Sequence, residues 1–142
     1  MLAFFNNEPS GPTIRIGIAK VSSDTLVTVP PQDAVWISAI ADTGCSSTCI
    51  SAGVAQRAGL PIISKGTIQS ASHSVPVDIY FGDLWIGARN VGGSTFFWPF
   101  RNRVFHELSL PGATYEALLG MDVFQEGMLI VNGPGGQSTF AW

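Results

Sequence analysis

One short stretch constrains this chain more than any other. The apolar run Val35-Trp36-Ile37-Ser38-Ala39-Ile40-Ala41 leads directly into Asp42-Thr43-Gly44-Cys45-Ser46-Ser47. An apolar run of that length, rich in β-branched and aromatic residues, reads as a buried strand. A carboxylate at the end of such a strand is costly to desolvate unless hydrogen bonds or a function compensate. The glycine two positions later lets backbone or ligand approach closely. An Asp-Thr-Gly tripeptide recurs by chance, so its meaning depends on the rest of the chain.

The 142 residues suffice for one domain with a core. Charged residues make up only 12% against 46% hydrophobic, which implies much buried surface and room for a subunit interface. Sixteen glycines and nine prolines, with few helix-forming runs, favour an all-β domain. The formal charge of −3 carries no basic block, so nucleic acid and anionic membrane are poor partners. No apolar run is long enough to span a bilayer. Met1-Leu2-Ala3-Phe4-Phe5 lacks the basic start of a signal peptide, and a cytoplasmic location is the expectation. Cys45 and Cys49 read as reduced, packed thiols rather than a disulfide framework.

Residues 1–12, broken by Asn6-Asn7 and Pro9-Ser10-Gly11-Pro12, read as a loose N-terminal arm before a domain spanning 13–142. Ile14, Ile16 and Ile18 alternate as a half-buried strand, with Leu26, Val27 and Val29 as its hairpin return. Ser51 is set to cap a helix over 52–58, with Arg57 in its last turn and Gly59 beyond its end. A hairpin spans 66–82, with the small polar tip Ser70-Ala71-Ser72-His73-Ser74. Pro76 in its return strand is tolerated only where its missing N–H is not needed, so the hairpin should project. Short strands follow at 84–86, 95–98 and 104–110. Leu118-Leu119-Gly120-Met121-Asp122 joins a strand end to a short helix with Asp122 in the first turn and Gly127 at its stop. Residues 128–131 and 138–142 read as the last strands.

Three segments in this order, namely Asp42-Thr43-Gly44 after an apolar strand, a polar-tipped hairpin, and a late Leu118-Leu119-Gly120-Met121-Asp122, resemble the retropepsin-like aspartic proteases, the family of retroviral proteases and their single-domain bacterial relatives. The terminal Asn132-Gly133-Pro134-Gly135-Gly136 with Phe140 also resembles the bacterial members. The resemblance implies an all-β, closed barrel or sandwich with one or two short helices and a flap hairpin, working as a homodimer on a peptide or protein substrate without metal or organic cofactor. Asp42 would be the catalytic residue, paired with Asp42 of a second copy. Thr43 would brace the two active-site loops, and Gly44 would let the carboxyls approach. Ser70, Ala71, Ser72 and His73 would form the flap over the substrate. His73 departs from glycine-rich flap tips, and either contacts substrate or is an exposed turn residue. Asp122 would be structural, near the loop or the dimer contact, with Met121 standing where the family often has Arg. Phe140 and Trp142 fit either an interface sheet or a plain core.

Other chemistries fit less of the chain. Cys45 and Cys49 with His73 and His106 have the spacing of half a zinc site but lack a second clustered pair. Ser46 or Ser47 has no Gly-x-Ser-x-Gly elbow around it, and Cys45 as a nucleophile has no more support. A retropepsin fold kept as a catalytically inactive dimerisation or peptide-binding module is the main alternative.

Overall fold

The computed structural model describes residues 1–69, 72, 74–109, 112–133 and 136–142. Among the described residues, ten strands and two short helices follow in order: β1 (Leu2–Glu8), β2 (Gly11–Ala19), β3 (Val35–Ala41), β4 (Cys49–Ile50), α1 (Ala52–Arg57), β5 (Ile62–Gln69), β6 (Ser74–Arg89), β7 (Thr95–Glu107), β8 (Ala117–Leu119), α2 (Met121–Phe124), β9 (Met128–Ile130) and β10 (Gln137–Ala141). The domain is mostly β, as the composition indicates. Among the described residues no helix is long and apolar enough to cross a membrane.

The strands form one sheet in the order β5-β6-β7-β4-β8-β3-β2-β1-β10-β9, and β6 pairs additionally with β2 and β1. The ladder running from β6 through β7, β4, β8, β3 and β2 therefore returns to β6. Phe5, Ile16, Ile18, Ile86, Phe100, Phe105, Leu119 and Phe140 are all buried and belong to one core cluster. Each such side chain contributes about 1.5–3 kcal/mol on burial. Phe140 stacks against Trp142 at 4.9 Å and meets Phe124 edge-on at 5.3 Å, so within the chain it is a core aromatic.

Several sequence expectations hold locally. β3 occupies the expected apolar run. Ser51 caps α1 by accepting from the Val54 N–H, and Gly59 takes a positive φ of 64° just beyond it. The hairpin of β5 and β6 has β5 on the sheet edge. Its outer part, including Pro76 opposite Thr67, pairs only with β5, because β6 meets β7 first at Ile79 and His106. Beyond that point, the short strands read at 84–86, 95–98 and 104–110 merge into the two long strands β6 and β7, although β7 ends at Glu107 and residue 110 lies outside the described residues.

Two expectations are corrected. Residues 1–12 are not a loose arm: β1 pairs with β10 and β2 and touches β6, with Ala3 and Phe5 fully buried. Leu26, Val27 and Val29 do not form a strand returning on β2. Both edges of β2 are occupied, by β1 and then β6 on one side and β3 on the other. The Val27 carbonyl instead accepts from Arg101 at 2.6 Å.

Asp83 explains where that loop is anchored. It is buried at an irregularity in the β6–β7 ladder and accepts from Arg101 Nη1 at 2.8 Å, the Asn102 N–H at 2.9 Å and the Ser22 N–H at 3.3 Å. Arg101 lies over the Trp85 ring at 4.7 Å. Asn102 has a φ of 53°, which aims its amide at the carboxylate.

Candidate active site

β3 delivers Asp42 at its end, and β8 fixes where that end lies. β8 runs parallel to β3, pairing Ala117 with Ala39 and Leu119 with Ala41, and the Asp42 N–H continues the ladder by donating to Leu119 O at 2.9 Å. The chain then turns tightly. The Cys45 N–H donates to Asp42 O at 3.1 Å, and the Gly44 N–H donates to Asp42 Oδ1 at 2.9 Å. One carboxylate oxygen is therefore held by backbone while the residue stays half-buried, with Thr43 and Gly44 exposed beside it.

The segment after β8 closes on this turn. The Met121 N–H donates to Cys45 O at 2.8 Å and the Asp122 N–H to Ser46 O at 3.1 Å. Buried Thr48 joins the two stretches through its side chain: Oγ1 donates to Asp122 Oδ1 at 2.8 Å and accepts from the Gly120 N–H at 3.2 Å. Gly120 is required by space, because a Cβ there would lie 2.5 Å from Ser47 C and 2.9 Å from Cys45 O. Burial pushes the Asp122 carboxyl above its usual range, and the Thr48 bond works against that shift. Asp122 is thus a brace of the Asp42 turn. The Met121 side chain is exposed; the cation bonded to this segment is Arg103 of β7, which reaches Asp122 O at 3.3 Å and pairs with Glu126. Neither Thr48 nor Arg103 stood out in the sequence. A hydroxyl four residues beyond a Gly is too common to flag, and Arg103 lies in a different strand.

A groove of about 690 Å³ opens between the turn and the β5–β6 hairpin. Gly44, Cys45, Ser46 and Ser47 line one side, Thr67, Ile68, Gln69 and Val75 the other, and His106 and Leu108 close it. The hairpin therefore faces the Asp-Thr-Gly turn across a groove walled by both apolar and polar side chains. Ser72 at its tip is exposed; Ser70, Ala71 and His73 lie outside the described residues. Among the described residues no cluster of three or more His, Cys, Asp or Glu is placed to hold a metal ion, although Cys45, Cys49 and His106 share the groove.

No protein-family model matches the chain, and no curated protein matches it significantly. Among solved structures, the crystal structure of a retropepsin-like aspartic protease from Rickettsia conorii matches with a TM-score of 0.58 at 15% identity, covering 99% of this chain and 90% of that one. At that identity the likeness is one of fold, and the fold it shows is retropepsin-like.

Proposed function

We propose that this chain is an aspartic endopeptidase that works as a homodimer, with Asp42 and Asp42 of a second copy forming the catalytic pair. The observation that carries the reading is the Asp42 turn itself. It presents a half-buried carboxylate beside an exposed Thr43 and Gly44, is hydrogen-bonded to the segment 119–122, and runs from Gly44 onward along a groove whose other side is the β5–β6 hairpin; Asp42 itself sits next to that lining rather than in it.

The chemistry requires the second copy. Peptide hydrolysis by this route needs one carboxylate to take a proton from water and one carboxylic acid to polarise the scissile carbonyl. Two carboxyls in contact cannot both ionise readily, so they share a proton, the general behaviour of the aspartic-protease dyad. This chain carries a single Asp-Thr-Gly. A twofold axis beside it is the simplest way to bring in a second carboxyl. The Gly44 N–H bond would fix the orientation of each carboxylate, and Thr43 would bond across the axis to keep the two turns rigid. The substrate would lie extended between turn and hairpin, held by main-chain bonds as an added strand, with the hairpin excluding water.

The test is peptide cleavage by the purified full chain in the acid range, alongside Asp42→Asn and analytical sedimentation. Asn keeps an Oδ1 to accept from the Gly44 N–H, so the turn should survive while turnover falls by about 10²–10⁴-fold or more. The wild type should sediment as a dimer. Undiminished cleavage by Asp42→Asn, or cleavage by a strict monomer, would refute the shared site. Peptide binding without product at any pH would favour a non-catalytic binding module.

A further inference from the structure

Cys45 and Cys49 stand on the wall of the groove with their Sγ atoms 3.7 Å apart, and neither is in a disulfide. A disulfide needs about 2.05 Å between sulfurs, so the gap is roughly 1.7 Å, within reach of side-chain rotation and a small loop adjustment. Both sulfurs also lie on one carbonyl, Ser47 O, at 2.9 Å from Cys45 and 3.4 Å from Cys49. The two thiols are therefore neighbours held by a common backbone group.

Their surroundings differ. Cys45 is half-exposed on the turn that follows Asp42, whereas Cys49 is buried in β4 beside Leu118. The bond from Cys49 favours the thiolate of Cys45 and brings it down to about 7 against the opposing effect of burial. The same bond, together with burial, pushes Cys49 up. An accessible thiol with thiolate character and a protonated neighbour in contact are the parts of an attacking and a resolving cysteine.

We propose that Cys45 and Cys49 form a redox-sensitive dithiol, converted by a peroxide into an intrachain disulfide that reshapes the Asp42 turn. In the first step the Cys45 thiolate attacks one peroxide oxygen. The O–O bond breaks, hydroxide leaves, and Cys45 becomes a sulfenic acid. In the second, Cys49 sulfur attacks Cys45 sulfur. The S–O bond breaks, the thiol proton leaves with the hydroxyl as water, and the S–S bond forms. Two cysteine sulfurs are oxidised and one peroxide is reduced. The turn feels the change because Cys45 lies within its hydrogen-bond pattern: its N–H donates to Asp42 O, and its carbonyl accepts from the Met121 N–H. Drawing Cys45 Sγ toward β4 pulls on both bonds. This chemistry stands whether or not the chain hydrolyses peptides.

The experiment treats the full chain with hydrogen peroxide and follows intact mass, free thiols and amide hydrogen exchange. The expected product has lost about 2 Da and both thiols. Digestion yields a 45–49 linkage, and dithiothreitol restores the starting mass. Exchange at Gly44 and Cys45 should change by about fivefold or more on oxidation. In Cys49→Ala, dimedone should trap Cys45 as the sulfenic acid. On the unmutated protein, phenylarsine oxide, which bridges two close thiols, should bind one per chain and block the disulfide. Two free thiols after peroxide, cross-links only between chains, or sulfinic acid forming on Cys45 as fast in the wild type as in Cys49→Ala would overturn the dithiol. A disulfide that leaves exchange at the turn unchanged would overturn its coupling to Asp42.

Discussion

Thr48 Oγ1 donates to Asp122 Oδ1 at 2.8 Å across 74 residues of sequence, and the same oxygen accepts from the Gly120 N–H at 3.2 Å. One buried hydroxyl thereby fastens the segment after β8 to the turn that carries Asp42. Two stretches far apart in sequence become a single unit through this contact.

Thr48→Val should expose the importance of that hydroxyl. The side chain keeps its shape, but a buried N–H and a carboxylate lose their partner. The expected loss is about 1–3 kcal/mol in denaturant unfolding. Thr48→Ser retains the hydroxyl and should recover most of it. Equal stability of the valine and serine variants would show that the contact contributes nothing.

Gly120→Ala should be destabilising for a steric reason alone. Gly120 has a φ of −96°, which any residue adopts. The added Cβ would instead meet Ser47 C at 2.5 Å and Ser47 O at 2.7 Å. These are backbone atoms and cannot rotate away. A loss of about 1–3 kcal/mol is expected, as for overpacking elsewhere, with loosening of the Asp42 turn visible in amide exchange. Unchanged unfolding would mean that the two stretches are farther apart than described.

Asp122 should leave a signature in the pH dependence of stability. Burial raises its carboxyl pKa in the folded state, so the folded chain binds this proton more tightly than the unfolded chain. Its contribution is then fully present below the unfolded value, about 3.9, and is lost as pH rises through the folded value. Asp122→Asn keeps an acceptor for Thr48 but does not titrate. The stability of the variant relative to wild type should therefore rise with pH over that window and then level off. Parallel stability curves from urea titrations would contradict the assignment.

Asp83→Ala tests the anchor of the long β6–β7 hairpin. The substitution leaves Arg101 mostly buried without its carboxylate and the Asn102 N–H without its acceptor. A loss of about 3–5 kcal/mol is expected. Asp83→Asn, which can still accept from Asn102, should lose less. Thermal unfolding of the two variants side by side would decide it.

The sequence by itself determined what depends on near neighbours. The apolar run of β3, the capped helix after Ser51, the hairpin of β5 and β6 and the short helix at Asp122 rest on local periodicity, capping groups and turn residues, and all were legible. So was the Asp42-Thr43-Gly44 motif with its late companion. The tertiary structure decided the rest. β1 was hidden because polar Asn6 and Asn7 and the turn beyond them mask the alternation of Ala3 and Phe5, which are buried in the core, Phe5 beside Phe124 of α2. Val27 was misread because its β propensity cannot tell that both edges of β2 are occupied. The insertion of β8 between β3 and β4, the Thr48–Asp122 bond and the Asp83–Arg101 pair join residues far apart in the chain. Such contacts leave no local pattern, since each partner is an ordinary residue until the fold brings the other beside it.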